Sequence, residues 1–590
     1  MAEYTAPLRD MQFVINELIG LPRVQALAGF DEISADLTTA VLEEAAKLAR
    51  DVLSPLNRVG DTVGSRLEDD VVHTPPGWRA AYQTFCDGGW NGLAMNPEFG
   101  GQGLPKVIAT AVGEMWDGAN MAFGLCPLLT AGAIEAIEQH GDDFLRASFL
   151  AKLIAGSWTG TMNLTEPQAG SDLSAVRSRA VPQGDHYLIS GQKIYITYGE
   201  HDLTDNIVHL VLARLPDAPA GTRGISLFAV PKFLVNADGT LGRRNDLRCV
   251  SLEHKLGIHG SPTAVMSYGD QGGAVGYLVG AVNRGLMHMF TMMNAARHAV
   301  GREGVAIAER AYQQALQYAR ERVQGQAAGA GPQATIIEHP DVKRMLMTMK
   351  SQIEAMRALS YVCAVEYDTA QLHPDAEQRA RAARRGDLLT PIVKAWCTET
   401  GVQIASLGVQ VHGGMGYIEE TGAAQYLRDA RITPIYEGTT GIQAGDLVGR
   451  KTLRDGGQAM GELIADIRAT ITTMQNLNGT AAQVREALTV AVDHLETAVS
   501  WLCGTAADPR LSAAAAVSYL QLAGLVCGGW MMAEAAACSA MPSKADDPFY
   551  QAKLAAAGFY AAQLLPHASA LTQVIVHGSA AIADLDTALL

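Results

Sequence analysis

The spacing of apolar residues changes along the chain and divides it into helical and strand-forming regions. In residues 1–157 apolar side chains recur every three or four positions, most clearly over 36–50, which predicts amphipathic helices. Further helices are predicted near 106–116 and 130–154, between loops rich in glycine and proline. The first region is therefore predicted to be a helical domain.

Residues 158–280 consist instead of short runs rich in β-branched and aromatic residues. The runs predicted as strands are Tyr187–Ser190, Lys193–Thr197, Ile207–Leu212 and Ile225–Val230. Turn residues such as Ser190-Gly191 and Asp238-Gly239 separate them. This region is predicted to be a β domain inserted between helical ones.

The helical pattern returns after residue 280, with long helices predicted over 285–324, 340–370 and 387–411. The last region is helical and rich in alanine. We therefore predict an α+β fold, mostly α, made of four domains: 1–157 (N-terminal α), 158–280 (central β), 281–452 (C-terminal helical) and 453–590 (appended α).

Composition limits the classes of function. A chain of 590 residues is too long for one core, and a net charge of -16 without a basic stripe argues against nucleic-acid binding. The eight cysteines are scattered without metal-ligand spacing, which indicates reduced thiols in a cytoplasmic protein and no metal site. An arginine cluster at 379–385 is interpreted as a solvated helix face.

Residues 511–533 carry no charge, which raises the question of a membrane span. The run is rich in alanine and glycine and contains Ser512, Ser518 and Gln521, whereas membrane spans are usually richer in leucine, isoleucine and phenylalanine. A buried helix of a soluble domain is favoured, and peripheral membrane contact stays open.

Glu437 stands alone in an uncharged, glycine-containing stretch, since no other charge lies between Arg431 and Asp446. A carboxylate held among apolar groups resists ionising, which suits a general base. Glycines beside it let a ligand approach the backbone. A solvated loop glutamate is the alternative interpretation of this stretch alone.

A second candidate segment is the string 162–172, Met-Asn-Leu-Thr-Glu-Pro-Gln-Ala-Gly-Ser-Asp, whose hydroxyl and backbone N–H groups suit the phosphates of a cofactor. Tyr195 and Thr197 lie on one face of a predicted strand and could cover a flat heteroaromatic ring, or could belong to a core. Arg297 and Arg322 lie on the long helix that starts near 285, where arginine can bind a diphosphate or remain solvated.

In this order and spacing, the segments resemble the acyl-CoA dehydrogenase family over residues 35–450. The most specific strings are 164–172 and Tyr436-Glu-Gly-Thr439 followed by Ile442-Gln443. The length and the extra C-terminal helices resemble a bacterial branch that includes long-chain and 3-methylmercaptopropionyl-CoA dehydrogenases. The resemblance implies N-terminal helices, a central β-barrel-like domain, a C-terminal four-helix bundle and bound FAD. In agreement with this, the sequence lacks a strand–G-x-G-x-x-G–helix unit.

The resemblance also implies roles for individual residues. Cofactor contacts fall on Met162, Leu164, Thr165, Gly170, Ser171, Tyr195, Thr197, Arg322, Gln410, Gly413, Gly414 and Thr439, with Arg322 and the 410–414 group acting across a subunit interface. Substrate contacts fall on Ser171, Arg297 and Gly438. Glu437 matches the catalytic base, and the alternative position for a base, before Arg297, holds Ala296.

Three positions depart from the family pattern. Tyr195 stands where many members have tryptophan, and Arg322-Val-Gln-Gly325 replaces a common Arg-x-Phe-Gly, which leaves the contacts at the adenine end open. Gly441 replaces a side chain that often helps at the cofactor.

The implied reaction is FAD-dependent α,β-dehydrogenation of an acyl-CoA to the trans-2-enoyl-CoA, as in fatty acid β-oxidation, with electron-transfer flavoprotein as acceptor and a homodimer as the assembly. 3-Methylmercaptopropionyl-CoA is an alternative substrate. An acyl-CoA oxidase, a nucleic-acid-associated flavoprotein relative and a non-catalytic acyl-CoA-binding scaffold are the alternative functions.

Overall fold

The computed structural model describes residues 4–327, 329 and 333–590. Contacts divide the chain into two compact units. The helical unit contains the residues up to Ala46, Pro105–Glu114 and Val300–Leu590, and the strand unit contains Lys47–Leu104 and Met115–Ala299. The four domain boundaries given above follow sequence pattern rather than contacts, and they stay a prediction.

The N-terminal region is mainly helical, as its periodicity predicts. Its helices are α1 (Leu8–Phe13), α2 (Leu21–Gln25), α3 (Ala35–Leu48), α4 (Ser54–Val63), α5 (Trp78–Asp87), α6 (Lys106–His140), α7 (Asp143–Leu145) and α8 (Ala151–Ile154). A short hairpin, β1 (Arg66–Glu68) and β2 (Val71–His73), was not predicted. Its turn residues Asp69 and Asp70 both have positive φ, but they lack the glycine that usually marks such a turn.

α6 differs from the two separate helices predicted near 106–116 and 130–154. It extends to His140 and is interrupted at Asn120, which has extended backbone angles. The Asn120 side chain accepts a hydrogen bond from the Phe123 N–H (3.2 Å), as an N-cap does, so the helix restarts there without a loop. The uniformly apolar segment after Asn120 hid this continuity, because it has no polar face to reveal a helical period.

The strand unit contains the β domain predicted over 158–280. Its strands are β3 (Trp158–Asn163), β4 (Arg179–Gln183), β5 (His186–Thr197), β6 (Asn206–Arg214), β7 (Ile225–Pro231), β8 (Phe233–Val235), β9 (Leu241–Arg244), β10 (Leu247–Leu252), β11 (Thr263–Tyr268) and β12 (Ala274–Leu278). The strands pair in the order β5–β12–β7–β6–β4, and β4 pairs in turn with β5. The link between β6 and β4 is the pair of Arg214 with Arg179. The expected barrel-like arrangement is therefore confirmed as a closed ring.

β5 corrects one prediction, because the turn expected at Ser190-Gly191 is a continuous strand. Gly191 has a φ of +140°, and a Cβ there would lie 2.4 Å from the Ser178 Oγ. Before this residue β5 pairs with β4 and β12, and after it β5 pairs with β11. The glycine thus bends one strand so that it serves both the ring and its β10–β11 extension.

Besides α1, α2, most of α3 and the start of α6, the helical unit contains the end of α9 and the helices that follow it. Its elements are α9 (Gly285–Glu321), α10 (Pro340–Leu372), α11 (Ala376–His412), α12 (Ala423–Ala430), α13 (Thr440–Val448), α14 (Gln458–Thr473), α15 (Thr480–Gly504), α16 (Pro509–Ser539), α17 (Pro548–Phe559), α18 (His567–Gln573) and α19 (Ser579–Ala583). The first part of α9 belongs to the strand unit. These bounds agree with the predicted helices except that α11 begins earlier than expected.

The arginine cluster on α11 is only in part the solvated face that its sequence suggests: the Arg381 and Arg384 side chains are 45% and 43% exposed. Arg381 and Arg385 both donate to the Asp466 carboxylate of α14, at 2.6 and 2.7 Å, and Arg384 pairs with Glu462. The Arg385 side chain is only 7% exposed. The cluster also joins the bundle to the appended helices.

Two helices among the described residues are long and apolar enough to cross a membrane: α6 and α16, the latter containing the uncharged run noted above. Most of the apolar window of each is buried, 83% in α6 and 61% in α16. On α16, a Cβ at Gly524 or Gly528 would lie 2.3 or 2.6 Å from the Trp396 ring. These glycines therefore let α16 pack closely on α11, as in a core helix.

Candidate active site

Glu437 lies in the loop between α12 and α13. The segment 432–439 is called the base loop below, after the role predicted for Glu437. Glu437 is half-buried and has a φ of +54°, and the next residue, Gly438, has a φ of +93°. A left-handed conformation costs a non-glycine residue about 1–2 kcal/mol, so other contacts must hold it. α13 begins directly after the loop, where the Thr439 hydroxyl accepts the Ile442 N–H (3.3 Å) as an N-cap.

Lys394 of α11 supplies one of these contacts. Its side chain is fully buried, and its Nζ donates to the carbonyl oxygens of Thr433 (2.9 Å) and Gly438 (2.7 Å). Gln443, also fully buried, donates through Nε2 to the carbonyl of Glu437 (3.1 Å). The backbone on both sides of Glu437 is therefore fixed by side chains from helices.

Hydroxyl groups in and next to the base loop are bound by buried or half-buried carboxylates. The Tyr436 hydroxyl donates a short hydrogen bond to Glu303 of α9, which is fully buried. The Thr440 hydroxyl donates to Oε1 of Glu399 on α11 at 2.5 Å. Glu437 thus has uncharged neighbours in sequence, but its loop is hydrogen-bonded to charged groups from other elements.

α9 and α11 can hold the loop from two sides because their backbones approach closely. A Cβ at Gly301 would lie 2.6 Å from Val393, and one at Gly304 would lie 2.6 Å from the Cys397 carbonyl oxygen. Only glycine fits at such contacts. They place Glu303 and Lys394 on closely packed helices.

A second group of predicted site residues lies elsewhere in the helical unit. Gln410, Gly413 and Gly414 are exposed at the end of α11, and a Cβ at either glycine would meet no atom within 4 Å. The rings of Tyr318 and His412 stack at 4.5 Å, which brings the end of α9, with exposed Arg322, beside them. Gln410 is 16 residues after Lys394, about 24 Å along the helix.

In the strand unit, the predicted cofactor residues of β3 and β5 are brought together. The Lys193 Nζ donates to the carbonyl of Leu164 (3.1 Å), and the Ile194 N–H donates to the carbonyl of Thr165 (2.9 Å). Met162, Leu164, Thr165 and Thr197 are half-buried. Tyr195 is 60% exposed and has a φ of +61° in a bulge opposite β11.

The remaining predicted residues of the strand unit differ in exposure. Gly170 and Ser171 are exposed in the turn after Ala169, and a Cβ at Gly170 would meet open space. Arg297 is only 4% exposed; its Nη1 lies 3.4 Å from the Asn294 Oδ1 and its guanidinium 5.8 Å from the Phe290 ring. The turn is open to solvent, and the cofactor role of Gly170 and Ser171 and the substrate role of Arg297 stay predictions.

Glu166 organises this turn, although the sequence pattern assigns it no role. Its carboxylate is 4% exposed and accepts from the Lys193 Nζ (2.8 Å), the Ser178 Oγ (2.6 Å) and the Arg177 N–H (2.7 Å). Burial alone would raise the pKa of Glu166, but the Lys193 ammonium and these hydrogen bonds lower it to about 2. Burial lowers the pKa of Lys193 to about 8, so both groups are charged at neutral pH.

We expect Glu166→Gln to destabilise the strand unit by about 3 kcal/mol, because the substitution leaves buried Lys193 without its counter-ion. Urea unfolding and the FAD content of the purified protein would measure the effect. Glu68→Gln is the matched control, since Glu68 pairs with Arg66 on the surface with 59% and 62% of the side chains exposed. A control of this kind should change stability by less than about 1 kcal/mol.

The pH dependence provides a second measurement. A carboxyl whose folded pKa is depressed stabilises the protein above its ordinary value of 4.5, and this stability is lost as the pH falls toward about 2. The wild type should therefore lose more stability than Glu166→Gln between these two pH values. Equal losses would show that the Glu166 network does not stabilise the folded state.

A cavity in the helical unit is lined by none of the base-loop residues. It has a volume of about 500 Å³ and is lined by residues of α2, α10, α11, α14 and α16, among them Arg23, Glu366, Arg385 and Asp466. These four form salt bridges within the lining, Arg23 with Glu366 and Arg385 with Asp466. The cavity contains none of the predicted site residues.

Comparison with known proteins places this geometry in a family. Family models match 38–157 (Acyl-CoA dehydrogenase, N-terminal domain), 161–270 (middle domain), 283–453 (C-terminal domain) and 463–586 (Acetyl-CoA dehydrogenase C-terminal like). The 3-methylmercaptopropionyl-CoA dehydrogenase of Ruegeria pomeroyi is 51% identical over 579 residues, covering 96% of this chain and 97% of the relative.

Solved structures share the fold. Caenorhabditis elegans ACDH-11 in complex with C11-CoA matches with a TM-score of 0.76 and 20% identity, covering 96% of this chain and 93% of that one. A Bacillus anthracis acyl-CoA dehydrogenase complexed with FAD matches with a TM-score of 0.73 and 18% identity, covering 96% and 94%. On the full-length likeness to its relatives, the chain belongs to the acyl-CoA dehydrogenase family and is an oxidoreductase.

Proposed function

We propose that the protein catalyses the FAD-dependent α,β-dehydrogenation of an acyl-CoA, with Glu437 as the base that removes the α-proton. The observation that carries this proposal is the conformation of the base loop. Glu437 is half-buried and has left-handed backbone angles. Lys394 and Gln443 hold this conformation through hydrogen bonds to the surrounding backbone. Strain of this kind is typical of functional sites.

The family is FAD-dependent, and the residues of the strand unit fit a flavin. Exposed Tyr195 offers a flat ring, and the turn at Gly170 and Ser171 offers open backbone and a hydroxyl for phosphates. Met162, Leu164, Thr165 and Thr197 would complete the contacts around the ring, and the cofactor role of Thr439 stays a prediction. FAD, when bound, supplies the acceptor for the hydride that leaves the β-carbon of the substrate.

The chain's own residues perform the proton chemistry. A carboxylate oxygen of Glu437 takes the α-proton, and the backbone N–H of Glu437 donates to the thioester oxygen, where negative charge develops. A preplaced donor of this kind typically contributes about 10²- to 10³-fold to the rate. Gly438, with its positive φ, lets the substrate approach the backbone beside the base.

A homodimer is the assembly that we propose. Gln410 lies about 24 Å along α11 from Lys394, and Arg322, Gly413 and Gly414 lie near that end of the helix. Their open, exposed backbone suits the ADP end of a cofactor held by a second copy. Electron-transfer flavoprotein is the proposed acceptor, and β-oxidation in the cytoplasm the proposed setting.

3-Methylmercaptopropionyl-CoA is the second candidate substrate, and the Ruegeria pomeroyi relative favours it. The test is an anaerobic titration of the FAD-loaded enzyme with butyryl-, pentanoyl-, octanoyl-, palmitoyl- and 3-methylmercaptopropionyl-CoA. Pentanoyl-CoA is the matched control, since a methylene replaces the sulfur. Preference for the thioether over pentanoyl-CoA would identify the second candidate.

We expect at least one acyl-CoA to bleach the flavin absorbance within seconds. Purified protein that is colourless and does not take up FAD would contradict the proposal, as would a flavin that no acyl-CoA reduces. Peroxide formation in air without an added acceptor would replace the dehydrogenase proposal by an oxidase.

A further inference from the structure

Lys394 lies in a segment of α11 in which every other residue between Asp387 and Glu399 is uncharged. Its whole side chain is buried, and the neighbouring residues of α11 from Leu388 to Thr398 are buried too. A buried ammonium is costly unless it is hydrogen-bonded or paired. Its position therefore calls for an explanation in terms of what it binds.

The two carbonyl oxygens that Lys394 binds lie on either side of the base. Thr433 precedes Glu437 and Gly438 follows it, so one ammonium connects the entry of the loop to its exit. Hydrogen bonds from a charged donor are roughly twice as strong as neutral ones. The contact therefore ties together the backbone on the two sides of Glu437.

The conformation that this contact holds is one that the backbone does not favour by itself. Glu437 and Gly438 are consecutive residues with positive φ. A relaxed Glu437 would return to negative φ and carry its carboxylate away from its present direction. The short bond from Tyr436 to Glu303 holds the residue before the base but leaves the Gly438 side to Lys394 and Gln443.

We propose that Lys394 is a positioning residue for the base. This role rests on the proposed function. Lys394 keeps Glu437 in the left-handed conformation in which its carboxylate reaches the α-proton. Misplacement by about 1 Å can slow an enzymatic reaction about 100-fold. Loss of the ammonium should therefore slow proton removal and leave ligand binding largely unchanged.

The experiment compares Lys394→Met, which keeps length but removes all donors, with Lys394→Gln, which keeps an amide donor. Lys553→Met is the matched control: Lys553 is also buried but binds Asp10 and Glu354, away from the base loop. For each protein, FAD content, the Kd of an enoyl-CoA product and the anaerobic rate of flavin reduction per bound FAD are measured. The rate is repeated with acyl-CoA deuterated at the α-carbon.

We expect Lys394→Met to reduce flavin about 100-fold more slowly per bound FAD, with an unchanged product Kd and a larger α-deuterium isotope effect. Lys394→Gln should lie between this variant and the wild type, and Lys553→Met should match the wild type per bound FAD. A purely structural lysine would lower FAD content without changing the isotope effect. If Lys394→Met does not fold, the rate of flavin reduction per bound FAD and the α-deuterium isotope effect of Lys394→Gln test the role instead.

A wild-type rate per bound FAD in the Lys394 variants, or an unchanged isotope effect, would overturn the inference. Failure of the proposed function would look different, because the wild-type flavin would then not be reduced by any acyl-CoA.

Discussion

Glu437→Gln is expected to bind FAD and acyl-CoA normally but to reduce its flavin about 10⁴-fold more slowly. General bases typically contribute about 10²- to 10⁴-fold. We expect an effect at the upper end of this range, because the amide cannot accept the proton. The sequence of the base loop contains no second carboxylate that could replace Glu437. Anaerobic stopped-flow absorbance of the flavin gives the rate, and equilibrium titration with an enoyl-CoA product gives the affinity.

The fold should survive this substitution. Glutamine has nearly the size of glutamate, and the bonds from Lys394 and Gln443 that fix the loop go to the main chain of residues 433, 437 and 438. Glu420→Gln is the control, since Glu420 is an exposed glutamate before α12. Normal flavin bleaching by Glu437→Gln would remove Glu437 from its role.

The elements that carry periodic patterns could be predicted from the sequence. α10 and β7 lie close to their predicted ranges, because an amphipathic face or a β-branched run is a local property. The string 162–172 likewise predicts an open turn from its own hydroxyl and glycine residues, and its cofactor role stays a prediction. Both kinds of signal are carried by residues that are adjacent in the chain.

Contacts between distant residues could not be predicted in this way. The barrel-like ring is closed by the pairing of Arg179 in β4 with Arg214 in β6, and no local sequence pattern predicts this pairing. The same applies to Lys394 and Glu303, which lie 43 and 134 residues before Glu437. For the contacts of Lys394, the available signal was a single lysine in the apolar segment 388–398, since a charge in a buried helix requires a partner.

Glu437 itself illustrates the difference. Its neighbours in sequence are uncharged, which suggested a purely apolar environment. The structure adds an ammonium and two carboxylates that bind other groups of the same segment. The role of Glu437 as the base stays a prediction, but the structure explains its geometry by a hydrogen-bonded backbone rather than by an apolar environment.

Arg357→Met is expected to destabilise the helical unit by about 5 kcal/mol, the largest stability effect that we predict. Arg357 of α10 is 2% exposed, and its guanidinium binds carboxylates from three other helices: Asp10 of α1 (2.5 Å), Glu114 of α6 (2.6 Å) and Glu309 of α9 (2.8 Å). Removing one partner of a buried ion pair typically costs about 3–5 kcal/mol, because a charge remains buried without compensation. Here three carboxylates lose the same partner.

The stability of a domain is typically only about 5–15 kcal/mol, so Arg357→Met should unfold at much lower urea concentrations or fail to accumulate as soluble protein. Arg344→Met is the matched control on the same helix: Arg344 pairs with Asp341 at the surface, with 51% and 72% of the side chains exposed, and should cost less than about 1 kcal/mol. If uncompensated charge is the cause, adding Glu114→Gln and Glu309→Gln to Arg357→Met should recover stability, although two more native side chains are lost. A further loss in the triple variant would instead mean that the guanidinium acts through packing, because neutralising its partners would then bring no relief.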